Sequence, residues 1–298
     1  MRSVVLFLSI LVLFLSNALA DNAVDAYIWA EESSTGMSLY LGGNSASDKI
    51  SQGMKEGLDG KLKLADWPAL LRSKPRVYVL TSDGLKKTAI TGVELTEVYS
   101  LKINTELFAK DQPKRDLRNA SRKGLAQIGK TFPAGAKLRN LVDKNALPAA
   151  MASVAQKIHL FVAERVKKQK AALDKFQVKP EDYSFAHFNS SRGKLWLVWF
   201  SSMRYSERVT PNVDKELVFA AVLDAGGSVV ETLRGPKMVS SHGDDAEDFN
   251  PVFFADLSGN GNENIVAEVP YYEGKRILCY ALKPRKGVSE RTLLYDGS

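Results

Sequence analysis

One cysteine and three histidines in 298 residues leave this chain short of the side chains that most often announce chemistry. A single thiol, Cys279, excludes a disulfide within the chain. It lies in the apolar run "RILCYAL", where a small core hydrophobe is expected rather than a nucleophile. Nucleotide-binding and hydrolytic signatures are missing as well. There is no G-x-S-x-G elbow, no Walker loop, no G-x-G-x-x-G, no H-E-x-x-H and no C-x-x-C. After the first twenty residues, no apolar run approaches the ~20 residues that a membrane-spanning helix needs.

What is present begins with "MRSVVLFLSILVLFLSNALA": an early cation at Arg2, an apolar run from Val4 to Leu15, and small residues at Ala18 and Ala20. This is the pattern of a secretory signal peptide cut before Asp21, and it predicts an exported protein, periplasmic or extracellular. The remainder is 45% hydrophobic and 25% charged over the whole chain, a globular composition. Its formal charge of +7 is unevenly spread. Residues 21–75 and 184–298 each carry a net −2, whereas residues 76–183 carry +10.

The reading along the chain is α+β. A signal peptide over 1–20 precedes an N-terminal α+β region over 21–109, where "MSLYLGG" and "RVYVLTSDGLKKTAITGVELTEVYSLKI" have strand composition and "SASDKISQGMKEGL" suits a short helix. A small sheet with one helix is expected there. A basic helical segment over 110–180 follows. Its clearest element is one long amphipathic helix over 145–176, with Asn145 as cap and Met151, Val154, Ile158, Phe161, Val162 and Val166 recurring at helical spacing. The opposite face carries Lys157, Arg165, Lys167, Lys168 and Lys170, a surface for an acidic polymer, an anionic surface or an acidic protein. Residues 181–298 read as an antiparallel β meander or sandwich, because "KLWLVWF", "ELVFAAVLD", "PVFFADL", "NIVAEVP" and "RILCYAL" are separated by short turns.

One loop carries a chemical pattern. In "FADLSGNGNENIV" oxygen-bearing side chains alternate around glycine, as a hard cation such as Ca²⁺ requires of a curled loop. The stretch 249–282 resembles the Asp-rich loop of the VCBS and FG-GAP families of extracellular β proteins, whose pattern is D-x-D-x-D-G-x-x-D between two strands. The resemblance implies a metal site with Asp256, Ser258 and Asn260 as successive ligands, a backbone carbonyl from Asn262 and the last oxygen from Asn264. Three of the family's four carboxylates are neutral here, which implies weak Ca²⁺ binding, on the order of 10⁻³ M. Asn, Ser and Gly are equally the residues of a plain turn, and both readings stand at this point.

Just upstream, "SSHGDDAEDFNP" packs His242, Asp244, Asp245, Glu247 and Asp248 together. They read either as a metal or acid/base cluster completed by Asp256 or as a solvated acidic loop. His159 and His187 are expected to pack rather than to ligate. The function expected from these residues is that of an exported, non-catalytic binding or interaction protein. The alternatives are a metal-assisted hydrolase with a site around His242 to Asp256, and a structural envelope protein.

Overall fold

The computed structural model describes residues 26–34, 36–54, 58, 60–97, 100–109, 121–141, 151–168, 178–201, 215–240, 248–271 and 274–297. It corrects the α+β expectation. The described residues are mostly β, 54% strand against 17% helix, with three helices and several antiparallel sheets among them. The chain divides into two compact units: one up to Leu138 together with Leu293–Asp296, the other Arg139–Thr292 with the last two residues.

The first unit is built on eight strands rather than a small sheet. They are β1 (Ile28–Ser33), β2 (Gly36–Leu41), β3 (Gly60–Lys61), β4 (Val77–Thr81), β5 (Gly84–Thr88), β6 (Ile90–Glu97), β7 (Ser100–Thr105) and β8 (Lys123–Ile128). Their order across the sheet is β3-β6-β7-β2-β1-β8-β4-β5. Alternate residues, among them Ile28, Ala30, Leu39, Val79 and Ile103, turn to one face and pack with Ala46, Ile50, Trp67 and Leu71. Ala46 and Ile50 come from helix α1 (Ser45–Ser51), which starts where the Asn44 side chain accepts the amides of Ala46 and Ser47, both at 2.9 Å. Leu71 comes from the single turn α2 (Ala69–Arg72). The amide of Tyr295 donates to Gly42 O at 2.8 Å, so the end of the chain is held to the loop before α1.

The helical middle is overturned by β8. "KGLAQI" forms the strand between β1 and β4, with Leu125, Ala126 and Ile128 fully buried, although its surroundings are rich in Lys and Arg. Cross-strand partners on both sides stabilise a strand that local composition does not announce. Residues 110–120, 142–150 and 169–177 lie outside the described part, and with them both ends of the expected helix, 145–150 and 169–176.

The second unit begins within β9 (Lys137–Asn140), which is followed by helix α3 (Ala152–Lys168). After α3 come β10 (Ser184–Ser190), β11 (Gly193–Ser201), β12 (Lys215–Leu223), β13 (Val229–Ser240), β14 (Asn250–Asp256), β15 (Asn264–Tyr271), β16 (Gly274–Leu282) and β17 (Val288–Gly297). One sheet has the order β10-β11-β12-β13 and the other β17-β16-β15-β14-β9. Leu195, Leu197, Trp199, Val218 and Ala220 of the first sheet pack with Phe254, Ile265, Ala267, Leu278 and Tyr280 of the second, which makes a β sandwich. The other face of the first sheet, through Val198, Phe200, Leu217 and Phe219, is covered by Met151, Val154, Ala155, Ile158, Val162 and Val166 beside and within α3.

Those three layers explain the sequence of β11 and β12. A strand with one face in water alternates apolar and polar residues; a strand between two apolar layers cannot. "LWLV" and "LVFAAVL" are therefore apolar throughout. Among the described residues no helix is long and apolar enough to cross a membrane.

Candidate functional site

Antiparallel connections bring four hairpin turns to one end of the sandwich: β10–β11 at 190–193, β12–β13 at 224–228, β14–β15 at 257–263 and β16–β17 at 283–287. The β14–β15 turn holds the calcium-like pattern. Asp256, the last residue of β14, is buried. Its Oδ1 accepts the amide of Gly259 at 2.8 Å and the Ser258 hydroxyl at 3.3 Å, and its Oδ2 accepts the amide of Gly261 at 2.7 Å. Ser258 Oγ also lies 2.7 Å from Asn260 Oδ1, which accepts the amide of Asn262 at 3.0 Å. Gly259 and Gly261 have φ of 70° and 88°, the left-handed conformations that let two amides turn inward on one carboxylate.

A cation cradle needs oxygens converging on a point. Here N–H and O–H donors converge on the Asp256 carboxylate, as a turn requires, and the carboxylate keeps its charge and further acceptor capacity. Among the described residues no group of three His, Cys, Asp or Glu is placed to hold a metal.

Of the acidic cluster, His242, Asp244, Asp245 and Glu247 lie outside the described residues. Asp248 is buried, its Oδ1 accepting the amide of Phe249 at 2.6 Å and its own amide donating to Pro270 O at 3.0 Å. Asp248 lies just before β14 and Asp256 at its far end, about 20 Å along extended chain, so these two carboxylates cannot share one ion. His159 sits on α3 edge-on to Tyr183, at 6.1 Å between ring centroids. His187 is exposed on β10, edge-on to Trp196 at 5.7 Å. Desolvation first, then the charges of Lys194 and Arg139, lower the His187 pKa against an opposing pull from Glu263. Cys279 is buried, and burial pushes its thiol up to about 12, which removes the thiolate a nucleophile needs.

The charged residues that organise this end were not singled out from sequence. Glu263, buried in the β14–β15 turn, takes Arg139 in a two-point pair, Nε to Oε1 at 3.0 Å and Nη2 to Oε2 at 2.9 Å. Its Oε2 also accepts the amide of Asn189 at 2.8 Å, its own amide donates to Asn189 O at 2.8 Å, and Arg139 Nη2 reaches His187 O at 2.8 Å. Three backbone groups at one end of edge strand β10, His187 O and the N–H and O of Asn189, are thereby satisfied, which leaves less of this edge to pair with another strand.

Arg192, in the β10–β11 turn, does similar work across the sandwich. It donates to Lys283 O at 2.6 Å, Gly287 O at 2.9 Å and Glu231 Oε1 at 2.8 Å. Neither glutamate carries a spacing signal, because each partner lies on a distant strand. No family model, curated protein or solved structure matches the chain.

Proposed function

We propose that the protein is an exported, non-catalytic binding module whose partner is anionic. The observation that carries this reading is the outer face of α3. Lys157 and Lys167 are exposed there beside Leu160, which is 60% exposed, and Glu164, with Arg165 exposed at the flank, while the opposite face is buried on the β10–β13 sheet. The Arg165 guanidinium lies 5.2 Å from the Phe161 ring centroid, so its stem rests on the helix and its charge faces solvent. The side chain of Lys168 and residue Lys170, which the same face was expected to include, lie outside the described residues. The leader at residues 1–20 supports export. Asp256, engaged by backbone donors, supports a turn whose shape does not depend on Ca²⁺, with any Ca²⁺ bound only in the millimolar range.

The test is retention of the protein on a sulfonated matrix across a salt gradient. The triple variant Lys157→Glu, Arg165→Glu, Lys167→Glu elutes at clearly lower salt than the parent if this face is the contact. Identical elution removes the α3 face from the reading.

A further inference from the structure

Around the four hairpin turns the acidic and basic side chains are sorted. Every described carboxylate of those turns and their flanks is turned to protein groups. Asp224 Oδ1 accepts the amides of Gly226 and Ser228, both at 2.9 Å. Asp256 is held by Gly259 and Gly261, Glu263 by Arg139, and Glu231 by Arg192 and the amide of Gly287. The cations do the opposite. Lys194, Lys283, Arg285 and Lys286 are exposed, and none is in an ion pair within 4.0 Å among the described residues, although the Lys286 charge is near enough to act on Glu231.

Three of these cations occupy four consecutive positions, "KPRK", in the β16–β17 turn. That turn is braced from beneath: the Lys283 amide donates to Gly287 O at 3.0 Å, and Arg192 binds the carbonyls of Lys283 and Gly287. A turn held in this way loses little further freedom on binding. The neighbouring β14–β15 turn exposes Ser258 and Asn260, a hydroxyl and an amide. The four large apolar side chains exposed among the described residues, Leu64, Leu85, Leu160 and Tyr295, all lie elsewhere.

We propose that this end of the sandwich binds an acidic polysaccharide. Cations spaced along a rigid turn meet carboxylates repeated along a polymer, and hydroxyl and amide groups beside them suit its hydroxyls. A bilayer contact would gain most from a large apolar wedge beside the cations, and apart from Pro284 the exposed side chains here are polar. The inference deepens the reading of an anionic partner but rests on a surface separate from α3.

The experiment is calorimetric titration of the protein with polygalacturonate, alongside flotation with phosphatidylglycerol vesicles. Polygalacturonate binding at about 50 mM salt should weaken roughly 30-fold or more in Lys283→Glu, Arg285→Glu, Lys286→Glu. It should stay within about twofold in the α3 triple variant, since separated charges act independently. The neutral Lys283→Gln, Arg285→Gln, Lys286→Gln variant should lose less than the reversal, which guards against a folding defect. Vesicle binding without polygalacturonate binding overturns the proposal, as does equal loss from both triple variants. Loss in the α3 variant alone overturns it while leaving the broader function intact.

Discussion

Arg139 and Glu263, 124 residues apart, meet in a two-point ion pair whose glutamate side chain is buried and whose arginine side chain is 41% exposed. The Arg139 guanidinium also covers the Phe254 ring at 4.7 Å, so one side chain joins the charge to the sandwich core. Glu263 is the member that water cannot rescue.

Glu263→Ala is expected to cost about 2–4 kcal/mol, because it orphans the Asn189 amide and strips Arg139 of its partner. Urea unfolding measures this. A double-mutant cycle with Arg139→Met should show coupling above about 1 kcal/mol, and additive losses would mean that the pair is incidental.

Stability should fall in acid partly through Glu231. Burial pushes its carboxyl up, but the amide of Gly287 at 2.5 Å and the Arg192 guanidinium at 2.8 Å outweigh it and hold the pKa below the ordinary 4.5. The folded state then binds this proton less readily than the unfolded chain. The contribution is present above the ordinary value and is lost as pH falls through the lowered one. The fall in urea midpoint between about pH 5 and pH 3 should be shallower in Glu231→Gln than in the parent. An unchanged pH profile would sink this assignment.

Asp256→Ala removes the acceptor of two amides and one hydroxyl and should cost about 1–3 kcal/mol. Millimolar Ca²⁺ should leave the Tm of the parent within about 1 °C of its value in chelator. A rise of several degrees that disappears in Asp256→Ala would restore the cation reading.

Tyr183 tests the reverse case. Its hydroxyl is buried without a hydrogen-bond partner among the described residues, and burial, helped by Asp182, raises its pKa. Tyr183→Phe should therefore be neutral or stabilising by up to about 1 kcal/mol. A loss beyond about 1 kcal/mol by thermal or urea unfolding would reveal a partner, such as a bound water.

Gly227 couples the β12–β13 turn to α3. Its φ is 81°, and a Cβ there would lie 2.6 Å from Val154 Cγ2. Gly227→Ala should cost about 1–3 kcal/mol, and the double variant Gly227→Ala, Val154→Ala should recover only the steric share.

Part of this molecule was legible before any coordinates. The unbroken apolar runs at 195–200 and 217–223 are strands with both faces covered, and the glycines and Asp256 of the β14–β15 turn act within six residues of one another. The basic middle misled, because β8 owes its conformation to β1 and β4 on either side of it. Leu125, Ala126 and Ile128 are buried by those neighbours, while the Lys and Arg residues around them suggested a surface helix.

The distinction follows from range. Sequence alone determines what neighbours along the chain impose on one another: apolar runs, turn chemistry, and an alternation of oxygens that serves a turn as well as an ion. The tertiary structure decided what Asp256 faces, because backbone φ angles point amides at its carboxylate. It also decided that Glu263 meets Arg139 and that Arg192 meets Glu231. No local spacing encodes those pairs; they exist because two sheets pack face to face and bring distant turns to the same end.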